Sequence, residues 1–243
     1  MNIKKCLWLF FLCFLSAPSI QAQRNYIDIP NYILCINSYA ESTPWSTRMI
    51  STISEYVQKD PKLALYAEHM NTFMIDNDSI LKEFKNMLSQ KYTQPHPRLL
   101  VLLGSPAFTL RDEYRKLWGD IPIVLCSEEA FQGPHEAYLQ KQAIKLKDRT
   151  PIAQFSKPYN MVFLYSELYL RENVQLINHI KPNIKKFIFI GDKREVNLSA
   201  SLDIQNELRV KNPKIEYQFL TPQKMTTNQL LDSLYRVDPQ TTG

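Results

Sequence analysis

Ile33 to Trp45 reads ILCINSYAESTPW, and this stretch decides the fold. Four residues suited to a buried strand, Ile33, Leu34, Cys35 and Ile36, run straight into Asn37-Ser38-Tyr39. A polar turn follows and ends at Pro44-Trp45, after which Thr47 to Lys59 carries a helical pattern. A buried strand that hands over to a loop with hydroxyls, an amide and aromatic rings is how an open α/β sheet builds a ligand site at its strand ends.

Working outward, strands and helices alternate. Tyr32–Ile36 reads as a strand, and Thr47–Gln58 as a helix with Met49, Ile50, Ile53 and Val57 at helical spacing. Leu63–Met70 is a weaker strand. A helix capped by Asp76 or Asp78 runs through Tyr92. Leu99–Leu103 is a fully apolar strand ending at Gly104-Ser105-Pro106; Ala107–Trp118 is helical, and Ile121–Cys126 is a strand ending at Ser127-Glu128-Glu129. Residues 128–158 show no clear period and read as a crossing segment with a short helix near Glu136–Lys147. Beyond it come a strand at Met161–Leu164, a helix at Ser166–Ile180, a strand at Phe187–Ile190 and a helix at Val196–Val210. A strand at Ile215–Leu220 and a helix at Met225–Tyr235 complete the pattern. Such alternation implies mostly parallel sheets flanked by helices. Because it occurs on both sides of the crossing segment, the expected architecture is two α/β lobes with a cleft between them. Residues 23–130 form lobe one, 131–158 the crossing segment and 159–243 an incomplete lobe two.

The first 22 residues have the form of an export signal. Lys4 and Lys5 precede an apolar run from Cys6 to Leu15, too short for a comfortable membrane span. The chain is therefore expected to be exported. Loss of this segment leaves 27 Lys and Arg against 24 Asp and Glu, a formal charge of +3 rather than +5. A mildly basic surface without a Lys/Arg run gives no support for nucleic-acid binding. Two cysteines then remain, Cys35 and Cys126, each in an apolar strand pattern, which reads as two buried thiols rather than a disulfide scaffold.

Enzyme chemistry finds little to work with. The chain has five glycines, and none builds a phosphate loop or dinucleotide fingerprint. No serine sits in a nucleophile elbow, and His69, His96, His135 and His179 lack metal-ligand spacing. Glu128 and Glu129 are neighbours in a strand-to-loop segment and so point apart. No cofactor and no metal is expected. The strand ends carry the functional signal: Asn37-Ser38-Tyr39, Gly104-Ser105, Ser127-Glu128 and Gly191-Asp192 would line one crevice. The candidate ligand contacts are Asn37, Ser38, Tyr39, Trp45, Gly104, Ser105, Ser127, Glu128, Tyr165 and Asp192. The competing reading has Tyr39 or Trp45 plugging the core of its own lobe. The chain's last residues, Asp238 to Gly243, have turn chemistry. With only two or three strands in lobe two, the expectation is a chain cut within that lobe, because an open sheet edge is costly.

Asn37-Ser38-Tyr39, Pro44-Trp45, the stretch Glu68-His69-Met70-Asn71, LLVLLGSPAF, IPIVLCSE and KKFIFIGDKR, taken in this order, resemble the periplasmic sensor region of bacterial hybrid two-component histidine kinases. That region is similar to type I periplasmic binding proteins and to a group of substrate-binding proteins of ABC transporters. The resemblance runs from about Tyr32 to Leu234. It implies a small-molecule ligand bound in a two-lobed cleft and a possible homodimer. It also implies a membrane helix and kinase core that lie outside this chain. A solute-binding protein of an ABC-type transporter is the alternative it leaves open.

Overall fold

The computed structural model describes residues 31–243, so the expected export signal lies outside the described residues. β1 (Tyr32–Asn37) is the expected strand, one residue longer. It lies between β2 (Ala64–His69) and β3 (Leu99–Leu103), and the sheet continues through β4 (Ile123–Ser127) to β7 (Met161–Tyr165). All four pairings are parallel. The order 2-1-3-4-5 along the chain is one of the two common orders of doubly wound sheets.

The side chains of β1 explain why helices sit on both faces. Leu34 and Ile36 belong to one apolar cluster, with Leu81 and Leu88 of α2 (Asp78–Lys91) and with Tyr114 and Trp118 of α4 (Arg111–Trp118). Cys35 and Ile33 belong to another, with Trp45, Met49, Ile50 and Ile53 of α1 (Pro44–Val57). The period of two along a strand puts alternate residues on opposite faces, so β1 is apolar from Ile33 to Ile36 because both faces are covered. Each fully buried aliphatic side chain here contributes roughly 1.5–3 kcal/mol. Cys35 and Cys126 are both free and buried.

Two local details differ from expectation. The cap of α2 is Asn77, between the two aspartates considered; its Oδ1 accepts from the N–H of Ser79 and of Ile80, at 3.0 and 3.2 Å. The helix expected over Ala107–Trp118 is two, α3 (Ser105–Phe108) and α4. The Thr109 hydroxyl donates to the Pro106 carbonyl at 2.7 Å and the Tyr114 hydroxyl to the Ala107 carbonyl at 2.9 Å. These bonds satisfy carbonyls of the short first helix and let the chain turn at Leu110.

The crossing segment holds a two-stranded antiparallel ribbon, β5 (Phe131–Gln132) with β6 (Thr150–Pro151), and the short α5 (His135–Leu139). The strand expected at Met161–Leu164 as the opening of the second lobe is instead β7, the fifth strand of the first sheet, paired with β4 from Ile123–Met161 to Ser127–Tyr165. The boundary drawn at residue 159 therefore moves past Tyr165. An apolar five-residue strand looks the same in either sheet, and only pairing decides its owner. On this edge strand Val162 and Leu164 remain 58% and 52% exposed.

After β7, α6 (Leu170–Ile180) leads to a second, smaller sheet of β8 (Lys186–Ile190) and β9 (Glu216–Leu220), with α7 (Glu195–Lys211) between them and α8 (Thr227–Tyr235) after them. Val174 of α6 and Ile204 and Leu208 of α7 pack with Phe187 in a separate core. On the other edge of β8, Lys186 bridges Thr242 in parallel, and the Gly243 N–H donates to the Lys186 carbonyl at 2.9 Å. Among the described residues no helix is long and apolar enough to cross a membrane.

Candidate functional site

The carboxyl ends of β1 and β3 mark the point where strand order reverses, the usual place for a ligand crevice. Here the chain fills that place with its own groups. The Ser38 hydroxyl donates to the Gly104 carbonyl at 3.2 Å and accepts from the Ala107 N–H at 2.8 Å. Asn37 Oδ1 accepts from the Tyr39 N–H at 3.1 Å, and its amide nitrogen lies 2.9 Å from His69 Nδ1. Tyr39 turns inward, 5% exposed, with its ring edge-on to Trp45 at 5.8 Å between centroids. Gly104 has φ of +89°, and a Cβ there would stand 2.9 Å from the Tyr39 hydroxyl. Only glycine lets the Tyr39 ring and the β3 turn approach this closely. Asn37, Ser38 and Gly104 are thus occupied with holding the strand ends, Trp45 is half-buried against the α1 side of the sheet, and Tyr39 plugs the crevice.

A different set of groups converges one step along the sheet. Ser127 Oγ accepts from the Glu129 N–H at 3.0 Å and lies 2.9 Å from Ser105 Oγ. This turn sends Glu129 inward, 6% exposed, while Glu128 stays at the half-buried rim. Glu195, in the first turn of α7, is 3% exposed. Neither Glu129 Oε1 nor Glu195 Oε1 has a hydrogen-bond partner. Burial pushes the Glu129 carboxyl up to about 8, reinforced by the nearby Glu195 charge, and burial pushes Glu195 to about 7, with Arg194 opposing and Asp192 adding to the rise. Burial also raises Glu128, with Arg194 opposing. Tyr39 and Tyr138 lie within the field of the same carboxylates, and burial holds both phenols well above their usual range.

Glu128 and Glu129 border a cleft of about 600 Å³ between the first sheet and α6–α7, and Glu195 lies behind its lining. Its walls include Glu128, Glu129, Phe131, Arg149, Tyr165 and Asp203. The ribbon closes one side: Arg149 pairs with Asp203 of α7, and the Ile144 N–H donates to Ser199 Oγ of α7 at 3.0 Å. The loop after β8 is self-contained, with Asp192 accepting from Arg194 Nε at 2.7 Å and Asn197 Nδ2 at 2.7 Å. That arrangement lays the Arg194 guanidinium 5.2 Å above the Tyr39 ring.

Of the ten candidates, Glu128 and Tyr165 line the cleft; Tyr39, Ser105 and Ser127 stand behind it; and Asp192 acts through Arg194. Asn37, Ser38, Gly104 and Trp45 lie to the side, in the packing of β1 and β3. Sequence reasoning weighed Glu129 beside Glu128 and set it aside, and it missed Tyr138, Arg149, Arg194 and Glu195. A carboxylate in the first turn of a helix is an ordinary favourable feature, so nothing in the local sequence marked Glu195 as buried. Among the described residues no group of three or more His, Cys, Asp or Glu side chains is arranged to hold a metal ion.

The fold and cleft define an α/β protein with a doubly wound parallel sheet and a pocket at its strand ends. No family model matches this chain, and neither does any curated protein or solved structure compared with it.

Proposed function

We propose that this chain is the ligand-sensing domain of a periplasmic receptor, built on two lobes in the manner of the type I periplasmic binding proteins and of hybrid two-component sensor kinases. The carrying observation is a partial repetition of strand order. In the second sheet β9, β8 and the Thr242 bridge lie in the order 2-1-3, as β2, β1 and β3 do in the first. The loops after β4 and β7 and one face of α7 border one cleft, as binding between paired lobes requires.

In this reading a small ligand enters beside Glu128 and Tyr165 and stabilises one relative placement of the lobes. Only a difference in affinity between two placements can carry a signal. Arg149–Asp203 and Ile144–Ser199 are the contacts that such a movement would exchange.

Calorimetric titration of the chain from residue 23 onward against a metabolite library tests the proposal. A ligand with micromolar affinity is expected, weakened at least tenfold by Tyr165→Ala or Glu128→Gln, about 1.4 kcal/mol. Affinity unchanged in both variants would overturn the assignment of the cleft.

A further inference from the structure

The ribbon has a second side. Phe131 lines the cleft, whereas its neighbour Gln132 and the paired Thr150 line a separate groove of about 470 Å³, in keeping with the alternation of side chains along a strand. That volume is in the range of small-ligand sites. Arg111 of α4, Asp148 and Phe155 are also on its walls, and no residue lines both groove and cleft. Three polar groups of the groove stand without partners. Gln132 is 5% exposed, and neither its amide nitrogen nor its amide oxygen has a hydrogen-bond partner. Arg111 donates to the Phe108 carbonyl at a long 3.4 Å, and its buried Nε has no partner. Among the described residues no ion pair engages Arg111 or Asp148. His135, also on the wall, lies 3.7 Å from Asp78. A buried primary amide with both ends free is rare and costly in a folded protein, and a leucine would fill the same place without that cost.

We propose that this groove is a second binding site, for a short peptide with free ends, of which a dipeptide is the smallest. The Gln132 amide offers N–H donors and one acceptor. A peptide unit, with one C=O and one N–H, complements both. The Arg111 guanidinium takes the terminal carboxylate, and Asp148 takes the terminal ammonium. The rings of Phe108, Phe155 and Tyr159 stand 5.1, 4.6 and 5.5 Å from the guanidinium and hold it in place. A carboxylate alone would leave the Gln132 oxygen unpartnered, and an amine alone would leave Arg111 unpaired. The inference goes beyond the sensor reading and does not rest on it, because the two sites share no lining residue.

The probes are glycylglycine and L-alanyl-L-alanine. Each control lacks one recognised group: 5-aminopentanoate has methylenes in place of the peptide unit at the same length, glycylglycinamide lacks the carboxylate, and N-acetylglycine lacks the ammonium. In calorimetric titrations into the chain, both dipeptides are expected to bind roughly tenfold tighter than 5-aminopentanoate and glycylglycinamide. They are expected to bind roughly threefold tighter than N-acetylglycine, because Asp148 is exposed. Gln132→Leu is expected to abolish the preference over 5-aminopentanoate and to raise the thermal midpoint, since no amide is then left unpartnered. Arg111→Gln is expected to abolish the preference over glycylglycinamide, and it serves as the second variant should the first fail to fold. Absence of dipeptide binding up to about 10 mM, equal binding of glycylglycine and 5-aminopentanoate, or dipeptide affinity unchanged in both variants overturns the inference. Dipeptide binding that is lost in Tyr165→Ala and kept in Gln132→Leu belongs to the cleft; it removes this inference and supports the sensor reading.

Discussion

Arg149, just before β6, clasps Asp203 in the middle of α7 through two parallel hydrogen bonds of 2.9 and 2.8 Å. The two residues belong to different parts of the fold, and the guanidinium also lies 4.1 Å from the Phe131 ring centroid. Bidentate charge-assisted pairs of this kind are the stronger hydrogen bonds. Arg149→Ala is expected to lower unfolding stability by about 2 kcal/mol. In a double-mutant cycle with Asp203→Ala, a coupling of about 1 kcal/mol or more is expected. Urea unfolding of the four proteins gives the number, and purely additive effects would show that the clasp contributes nothing as a pair.

Glu129 and Glu195 give the protein a defined pH response. Both folded-state values, about 8 and about 7, lie above the ordinary 4.5. Between those limits the folded protein holds more protons than the unfolded chain, so stability must fall as pH rises. The slope is about 1.4 kcal/mol per pH unit for each group that stays protonated in the fold while ionised in the unfolded chain. Thermal midpoints are expected to drop from pH 5 to pH 8 and then level off. In the Glu129→Gln, Glu195→Gln double variant the profile should be nearly flat across that window; a wild-type profile that rises instead would contradict the burial of the pair.

Gly104→Ala tests the packing behind the cleft. The φ of +89° is strained for any residue with a Cβ, and the new methyl carbon would meet Ser38 Oγ and the Tyr39 hydroxyl, both at 2.9 Å. Strain of this kind costs about 1–3 kcal/mol, with the displaced Tyr39 adding to it. Denaturant unfolding should register at least that loss, whereas Gly119→Ala, at φ +76° but with open space around the site, should register the backbone cost alone.

The two thiols should be inert in the native state. Burial pushes Cys35 up to about 12, with nearby Cys126 adding to the rise, and burial pushes Cys126 to about 11. The thiolate is the reactive form. Iodoacetamide at pH 8 is expected to leave both unmodified in the folded protein and to alkylate both in urea, read by intact mass. Rapid labelling without denaturant would mean that the β1–β4 core opens easily.

The elements were legible in the sequence because their signals are local. Leu99–Leu103 is an apolar run that only a strand buried on both faces uses well, Phe187–Ile190 is a shorter apolar run, and α1 and α2 carry helical spacing in their own residues. The alternation of strands and helices then fixed an α/β class with parallel pairing. Which sheet Met161–Tyr165 joins was not legible, since pairing depends on β4 being its nearest free edge and not on anything in the five residues.

The site divides the same way. Glu128 was readable as a polar residue at a strand end, the position where α/β sheets place ligands. That Tyr39 would fill the crevice beside it depended on Gly104, 65 residues further along, leaving room for the ring. That Glu129 and Glu195 would share one buried place depended on α7 packing against the ribbon. The sequence by itself determined the order of elements and the chemistry available at their ends, because both follow from near neighbours. Only the tertiary structure decided which of those ends meet, and whether a carboxyl group there is exposed or buried, because burial belongs to the packed molecule and not to the residue.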